Sequence, residues 1–147
     1  MKRIKLFFVS AFIAVSAVLF AGDIYFVDTG GMARFISLDV SGSDGFLCTF
    51  KKKTVAHIEG TFYAPLIIDQ LDLDCNLEIQ GVPIPIVISS KPHTSYLPAY
   101  IGDKITFYLD IPIHNSLPTI QAIFHVEVRD GYKNLIAGAK FPVMIVN

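Results

Sequence analysis

Residues 71–80 read Leu71-Asp72-Leu73-Asp74-Cys75-Asn76-Leu77-Glu78-Ile79-Gln80, apolar at every odd position and polar at every even one. A period of two sends alternate side chains to opposite faces. Such a run is therefore a half-buried β-strand and not an amphipathic helix, whose apolar residues recur every three or four positions. The pattern returns at Ile105, Phe107, Leu109, Ile111 and Ile113, and again at Ile120, Ala122, Phe124, Val126 and Val128. Weaker runs cover 32–40, 54–63, 82–88 and 139–146, which makes about seven strands. Turn residues separate them: Ser41-Gly42-Ser43-Asp44-Gly45, Ser90-Lys91-Pro92, Ile101-Gly102-Asp103 and Asp130-Gly131. No stretch carries a capped helical period. Short antiparallel strands at regular spacing, without helices, predict an all-β, immunoglobulin-like sandwich of two sheets.

One segment departs from the alternation. Gly81-Val82-Pro83-Ile84-Pro85-Ile86-Val87-Ile88 is apolar throughout, with two prolines two residues apart. Both prolines lack an N–H on the same side, which suits an edge strand with its unpaired side outward. Tyr96-Leu97-Pro98-Ala99-Tyr100 and Leu117-Pro118 likewise put apolar and aromatic residues into loops. Apolar loops gathered at one end of a sandwich suit the mouth of a hydrophobic pocket.

At 147 residues the chain has room for one ordinary domain, and no linker, repeat or low-complexity stretch divides it. Lys2, Arg3 and Lys5 precede 16 residues, Leu6 to Ala21, interrupted only by Ser10 and Ser16, with small residues at Ala17, Ala21 and Gly22. This pattern predicts a signal peptide at 1–21 and a mature domain at 22–147; the alternative is an uncleaved membrane anchor. The leader holds three of the twelve basic residues and none of the thirteen acidic ones, leaving nine against thirteen, a net charge of −4. A mildly acidic domain has no electrostatic reason to seek nucleic acid. The local exception is Lys51-Lys52-Lys53, read as a solvated turn between strands or as a contact for anionic headgroups at a membrane.

The residues for catalysis are not grouped. His57, His93, His114 and His125 are scattered, none spaced with a second metal ligand or set beside a Ser or Cys in a catalytic pattern. Asp72 and Asp74 fall on the outer face of an alternating strand, which cannot wrap a calcium ion as a loop does. No glycine loop follows a strand to cradle phosphate. The expectation is a protein without cofactor or metal, and not an enzyme.

Taken together, Tyr25-Phe26-Val27-Asp28-Thr29-Gly30, Cys48, Gly60-Thr61-Phe62, Gly81-Val82-Pro83-Ile84-Pro85-Ile86, Leu97-Pro98, Ile111-Pro112-Ile113, Leu117-Pro118, Val126-Glu127-Val128-Arg129-Asp130 and Phe141-Pro142-Val143 resemble the ML lipid-recognition family. The resemblance is strongest to its soluble, secreted Niemann–Pick type C sterol carriers, at the double-proline motif, and it covers nearly all of the mature chain. It implies two sheets splayed around an internal hydrophobic cavity that holds a lipid. It further implies transfer of that lipid to a membrane sterol transporter or, alternatively, its display as an adaptor to a lipid-sensing receptor of innate-immune or chemosensory type.

The chain also departs from the family. The six positions usually occupied by disulfide-bonded cysteines read Thr29, Ser43, Cys48, Lys91, Leu97 and Gly138, so no family disulfide forms. The second cysteine, Cys75, is either a small buried hydrophobe or a new partner for Cys48. At ligand-contacting positions, Ile86 and Leu117 replace aromatics while Ile113 is retained. The wall stays apolar but loses flat surfaces suited to a rigid sterol, so a fatty acid or phospholipid stands beside a sterol as the expected ligand. No Asn-x-Ser/Thr sequon is present, leaving no acceptor for glycan-dependent delivery to the endolysosomal lumen. The expectation is a secreted, extracellular, monomeric lipid carrier. Its expected lining is Phe62, Leu73, Leu77, Ile79, Val82, Ile84, Ile86, Phe107, Ile111, Ile113, Leu117, Phe124 and Val126, with Tyr96, Tyr100 and Pro118 at the mouth.

Overall fold

A computed structural model describes residues 24–86, 93–94 and 97–147, the pair 93–94 by its backbone alone. The leader with its cleavage point, Val87-Ile88, the turn at Ser90-Lys91-Pro92 and Tyr96 lie outside the described residues. Ten strands are present among those described: β1 (Val27–Gly30), β2 (Phe35–Val40), β3 (Cys48–Lys51), β4 (Val55–Tyr63), β5 (Leu71–Ile79), β6 (Val82–Pro85), β7 (His93–Thr94), β8 (Lys104–Pro112), β9 (Gln121–Asp130) and β10 (Leu135–Val146). They form two sheets. One runs β2-β4-β8-β7; the other runs β1-β10-β9-β5-β6, with β3 also joined to β10. This is the immunoglobulin-like sandwich that the alternation predicts. The strands beyond the expected seven are the short β1, β3 and β7.

The alternation is realised residue by residue. Leu71, Leu73, Cys75 and Leu77 of β5 are buried while Asp72 and Asp74 are exposed. On β8, Ile105, Phe107, Leu109 and Ile111 point inward, and on β9 Ala122, Phe124, Val126 and Val128 do so. These faces meet in one core cluster drawn from both sheets. In the four-stranded sheet, Phe35 packs edge-on to Phe62, and both rings lean on Phe107. Gly60 faces Phe107 across β4 and β8, and the Phe107 ring lies where a side chain on Gly60 would stand.

One pairing escaped the sequence pattern. β3 runs parallel to β10, Cys48 opposite Val143, whereas every other strand pair among the described residues is antiparallel. Cys48 and Cys75 are both free and buried. They sit on β3 and β5, with β10 and β9 between them. Three strand spacings come to about 14 Å, whereas a disulfide needs its Cα atoms within about 7 Å. The pairing alternative is thereby set aside, and the cysteines act as small core hydrophobes. Burial pushes the Cys48 thiol up to about 11 and the Cys75 thiol up to about 12, so neither is an available thiolate at neutral pH.

Asp130 fastens the turn from β9 to β10. Its carboxylate accepts hydrogen bonds from the backbone N–H of Tyr132 (3.0 Å) and of Asn134 (2.8 Å) and from the Asn134 side-chain amide (3.0 Å). Desolvation pushes this carboxyl up, but the Asn134 and Tyr132 donors together outweigh it and hold it below its ordinary value of 3.8. A depressed carboxyl lends stability that is present above its unfolded pKa and lost as pH falls through the lower folded one. Asp130→Asn is therefore expected to melt below the parent at neutral pH. The gap should narrow as pH drops below about 4, and a gap independent of pH would refute the assignment.

Candidate functional site

The double-proline segment forms β6, the edge of its sheet, antiparallel to β5 with Leu77 opposite Ile84 and Glu78 opposite Pro83. The Ile86 N–H donates to the Cys75 carbonyl at 3.1 Å, so even-numbered residues here bond to β5. Pro83 and Pro85 consequently turn their missing N–H outward, which blunts an exposed edge against pairing with another chain. All four residues of β6 are exposed, Val82 at 60%.

Between this edge and the end of β8 lies a pocket of about 320 Å³. Leu77 forms its buried floor. Ile84, Pro85 and Ile86 make one wall and Ile111, Pro112 and Ile113 the other, while residues 114–117 contribute His114, Ser116 and Leu117. Ile111 and Ile113 are fully buried, whereas Ile86 and Leu117 are partly open to solvent. The polar groups lining it, His114 and Ser116, are both on the loop that follows β8. A volume of this size lies at the lower limit of small-molecule sites.

Six expected lining residues thus converge: Leu77, Ile84, Ile86, Ile111, Ile113 and Leu117. The others are placed elsewhere. Phe62 and Phe107 fill the aromatic cluster of the four-stranded sheet, and Leu73 and Val126 are inward core residues. Phe124 is clamped between Phe50 and Phe141. Ile79 is half-buried and Val82 faces solvent. Pro118 is exposed on the loop beside Leu117 and is not among the lining residues. Tyr100 is not at the mouth: it sits in the turn before β8, its N–H donating to Asp103, while the pocket lies at the other end of that nine-residue strand. Pro85, Pro112, His114 and Ser116 were not anticipated in the lining. Pro85 lies between Ile84 and Ile86, Pro112 ends β8 before Ile113, and His114 and Ser116 lie on the loop to Leu117, and that continuity was the available signal.

One arrangement brings together residue types used in hydrolysis. His57 Nδ1 lies 2.6 Å from Asp110 Oδ1, and Ser41 is adjacent. The Ser41 hydroxyl, however, accepts from the backbone N–H of His57 at 2.9 Å rather than facing the second ring nitrogen, and all three residues are exposed. A nucleophile needs its proton taken by the base; here the serine oxygen caps a backbone donor instead. On the other sheet's outer face His125 Nε2 lies 3.1 Å from Glu78.

Two β-sheets packed on a common core, with an apolar pocket between the edge of one and the strand end of the other, define an immunoglobulin-like sandwich with a hydrophobic recess. The fold is shared with solved structures. A Niemann–Pick type C2 protein from the Japanese carpenter ant superposes with a TM-score of 0.73 at 17% identity, over 84% of this chain and 100% of that one. The C-terminal domain of wzt superposes with a TM-score of 0.58 at 10% identity, over 84% of this chain and 78% of that one. At such identities the likeness is one of fold. No protein-family model and no curated protein matches the sequence.

Proposed function

We propose that the protein is a non-enzymatic carrier, secreted after removal of residues 1–21, that shelters a hydrophobic lipid in the pocket between β6 and the end of β8. The observation that carries this reading is the pocket itself: eight of its ten lining residues are Leu, Ile or Pro. A soluble domain gains nothing from presenting that surface to water. Apolar burial is worth about 25 cal/mol per Å², so an acyl or sterol segment covering about 300 Å² grosses about 7 kcal/mol before ordering costs. The fold it shares with a Niemann–Pick type C2 protein supports the same reading, and Ile86 and Leu117 suit a flexible chain as well as a rigid ring system.

The direct test is to extract the purified protein with organic solvent and to titrate it with fluorescent fatty acid and sterol. Co-purified lipid or saturable uptake is expected. A dry extract together with no uptake of either probe sinks the carrier reading. Ile86→Glu combined with Leu117→Glu should weaken uptake at least tenfold, since two partly exposed wall residues then place carboxylates against an apolar chain. Because neither position is fully buried, the melting transition should shift far less than for a core substitution.

A further inference from the structure

In place of the monomer expected from the sequence, we propose that the protein pairs with a second copy of itself. The contact is the apolar tip at the end of the sandwich opposite the pocket. Tyr100, expected at the pocket mouth, stands at this end instead. Here residues 64–68 and 99–103 run side by side. The Ala64 N–H donates to the Asp103 carbonyl at 2.8 Å and the Gly102 N–H to the Ala64 carbonyl at 2.9 Å, while Ile68 and Ala99 exchange two bonds of 2.9 Å. Ile67, Tyr100 and Ile101 are exposed on these paired loops, and exposed Tyr63 leads into them from β4. Beside Ile67 lies a recess of about 200 Å³, lined also by Asp69, Gln70, Asp130, Gly131 and Tyr132. The recess joins the paired loops to the turn between β9 and β10, where Tyr132 is 86% exposed.

The area is that of an interface. With about 150–250 Å² for an aromatic side chain, Tyr63, Tyr100 and Tyr132 together leave on the order of 400 Å² in water. Ile67 and Ile101 bring the patch to about 600 Å², the upper end of what a monomer exposes in one place. Two such tips would bury about 1,200 Å², where specific stable interfaces begin. Charge and shape select the occupant. Asp69 and Asp103 are interspersed with Lys104 and Lys133, and among the described residues none of the four forms an ion pair. A third carboxylate, Asp130, is already taken up by the Tyr132 and Asn134 donors. Such a rim of mixed sign suits neither an anionic membrane nor a strongly charged protein. It does suit itself, because a two-fold axis turns the lysines of one copy toward the aspartates of the other. The tip also carries both a projection, Tyr100-Ile101, and a recess, as a self-complementary contact requires. The two lipid pockets then lie at the far ends of the pair.

Sedimentation equilibrium of the purified protein should show the mass rising from one copy toward two between about 1 and 100 µM, the range for an interface near the lower size limit. Ile101→Glu/Tyr132→Glu sets carboxylates of the two copies against each other and should weaken pairing at least about tenfold. Both residues are in exposed turns, outside the core and the pocket. At low concentration the variant should therefore melt with the parent and take up fluorescent fatty acid as the parent does. Val82→Glu places the same charge on an exposed apolar residue of the β6 edge and should leave pairing intact. A parent that stays at one copy throughout overturns the inference. So does a pair that survives the tip substitutions, or one that Val82→Glu also disrupts. A single copy that sediments with phosphatidylcholine vesicles, and no longer does so once the tip is substituted, makes this face a membrane contact and overturns pairing as well. None of these outcomes bears on the carrier reading, which stands or falls on lipid uptake.

Discussion

Thr29→Cys together with Gly138→Cys is expected to close a disulfide that raises stability by about 3–5 kcal/mol. In melting temperature this is roughly 10–20 °C for a domain of this size. Thr29 lies on β1 and Gly138 on β10, paired with a register shift between Asp28 and Gly30. A Cβ placed on Gly138 stands 3.7 Å from the Thr29 Cβ. The separation typical of disulfides is about 3.8 Å. That same Cβ meets the Thr29 hydroxyl oxygen. Gly138→Cys alone is therefore crowded, whereas in the double variant a sulfur replaces the obstructing oxygen and bonds to its neighbour. The bridge closes a loop of about 110 residues, and long loops remove the most freedom from the unfolded chain. The buried thiols should not interfere, since Cys48 and Cys75 are pushed up to about 11 and about 12. At pH 8 the new pair supplies the reactive thiolate. Thiol counting should find two free cysteines in the oxidised variant and four after reduction, with the melting gain lost on reduction. Equal melting of the two forms refutes the expected geometry.

The sequence resemblance to the ML family puts Thr29 and Gly138 at positions where that family usually carries cysteines, and here they meet without a covalent link. Ser43 and Cys48, two more of those positions, face each other as an isolated bridge. The backbone brings both pairs together without cross-links, and stability rests on the core. The buried phenylalanines are its main resource: Phe35, Phe50, Phe62, Phe107, Phe124 and Phe141.

The fold was legible because one face of each long strand is buried, and burial writes itself into a period of two. β5, β8 and β9 follow from alternation alone. The parallel pairing of β3 with β10 was not legible, since Cys48 and Val143 are nearly the whole domain apart and parallel partners leave no hairpin signal. The site was legible in part, and for a definite reason. Alternation reports that a side chain points inward, but not whether it meets another side chain or a void. Phe62, Phe107 and Phe124 share the inward register with Ile111, yet they find aromatic partners while Ile111 faces the pocket. Ile86, in the double-proline segment that departs from strict alternation, and Leu117, in a loop, are both in the lining. Departure from the pattern was the better guide to the pocket than the pattern itself. The lysine turn shows the complementary case. Its composition announced a charge cluster, but only the bonds from Lys53 to Ile113 and from Lys52 to Thr119 give it a location.

Phe124→Ala should divide core from wall. Phe124 has no solvent exposure, stands 5.2 Å from Phe141 at 32° and 5.8 Å from Phe50 at 79°, and lies across from Leu77, the pocket floor. Its removal strips two ring contacts and leaves a cavity that three neighbouring strands cannot close. The expected loss is about 3–5 kcal/mol. The wall variant Ile86→Glu/Leu117→Glu should do the reverse, reducing lipid uptake while leaving the melting transition near that of the parent. Thermal denaturation and fluorescent-lipid titration of both variants, run side by side, make the comparison. If Phe124→Ala melts like the parent and the alanine merely enlarges the binding capacity, Phe124 belongs to the pocket, and the cavity extends between the sheets beyond Leu77. If it unfolds at a temperature lower by roughly 10–20 °C, the interior at Phe124 is closed core, and the lipid is held at the edge of the sandwich, where β6 and the end of β8 part.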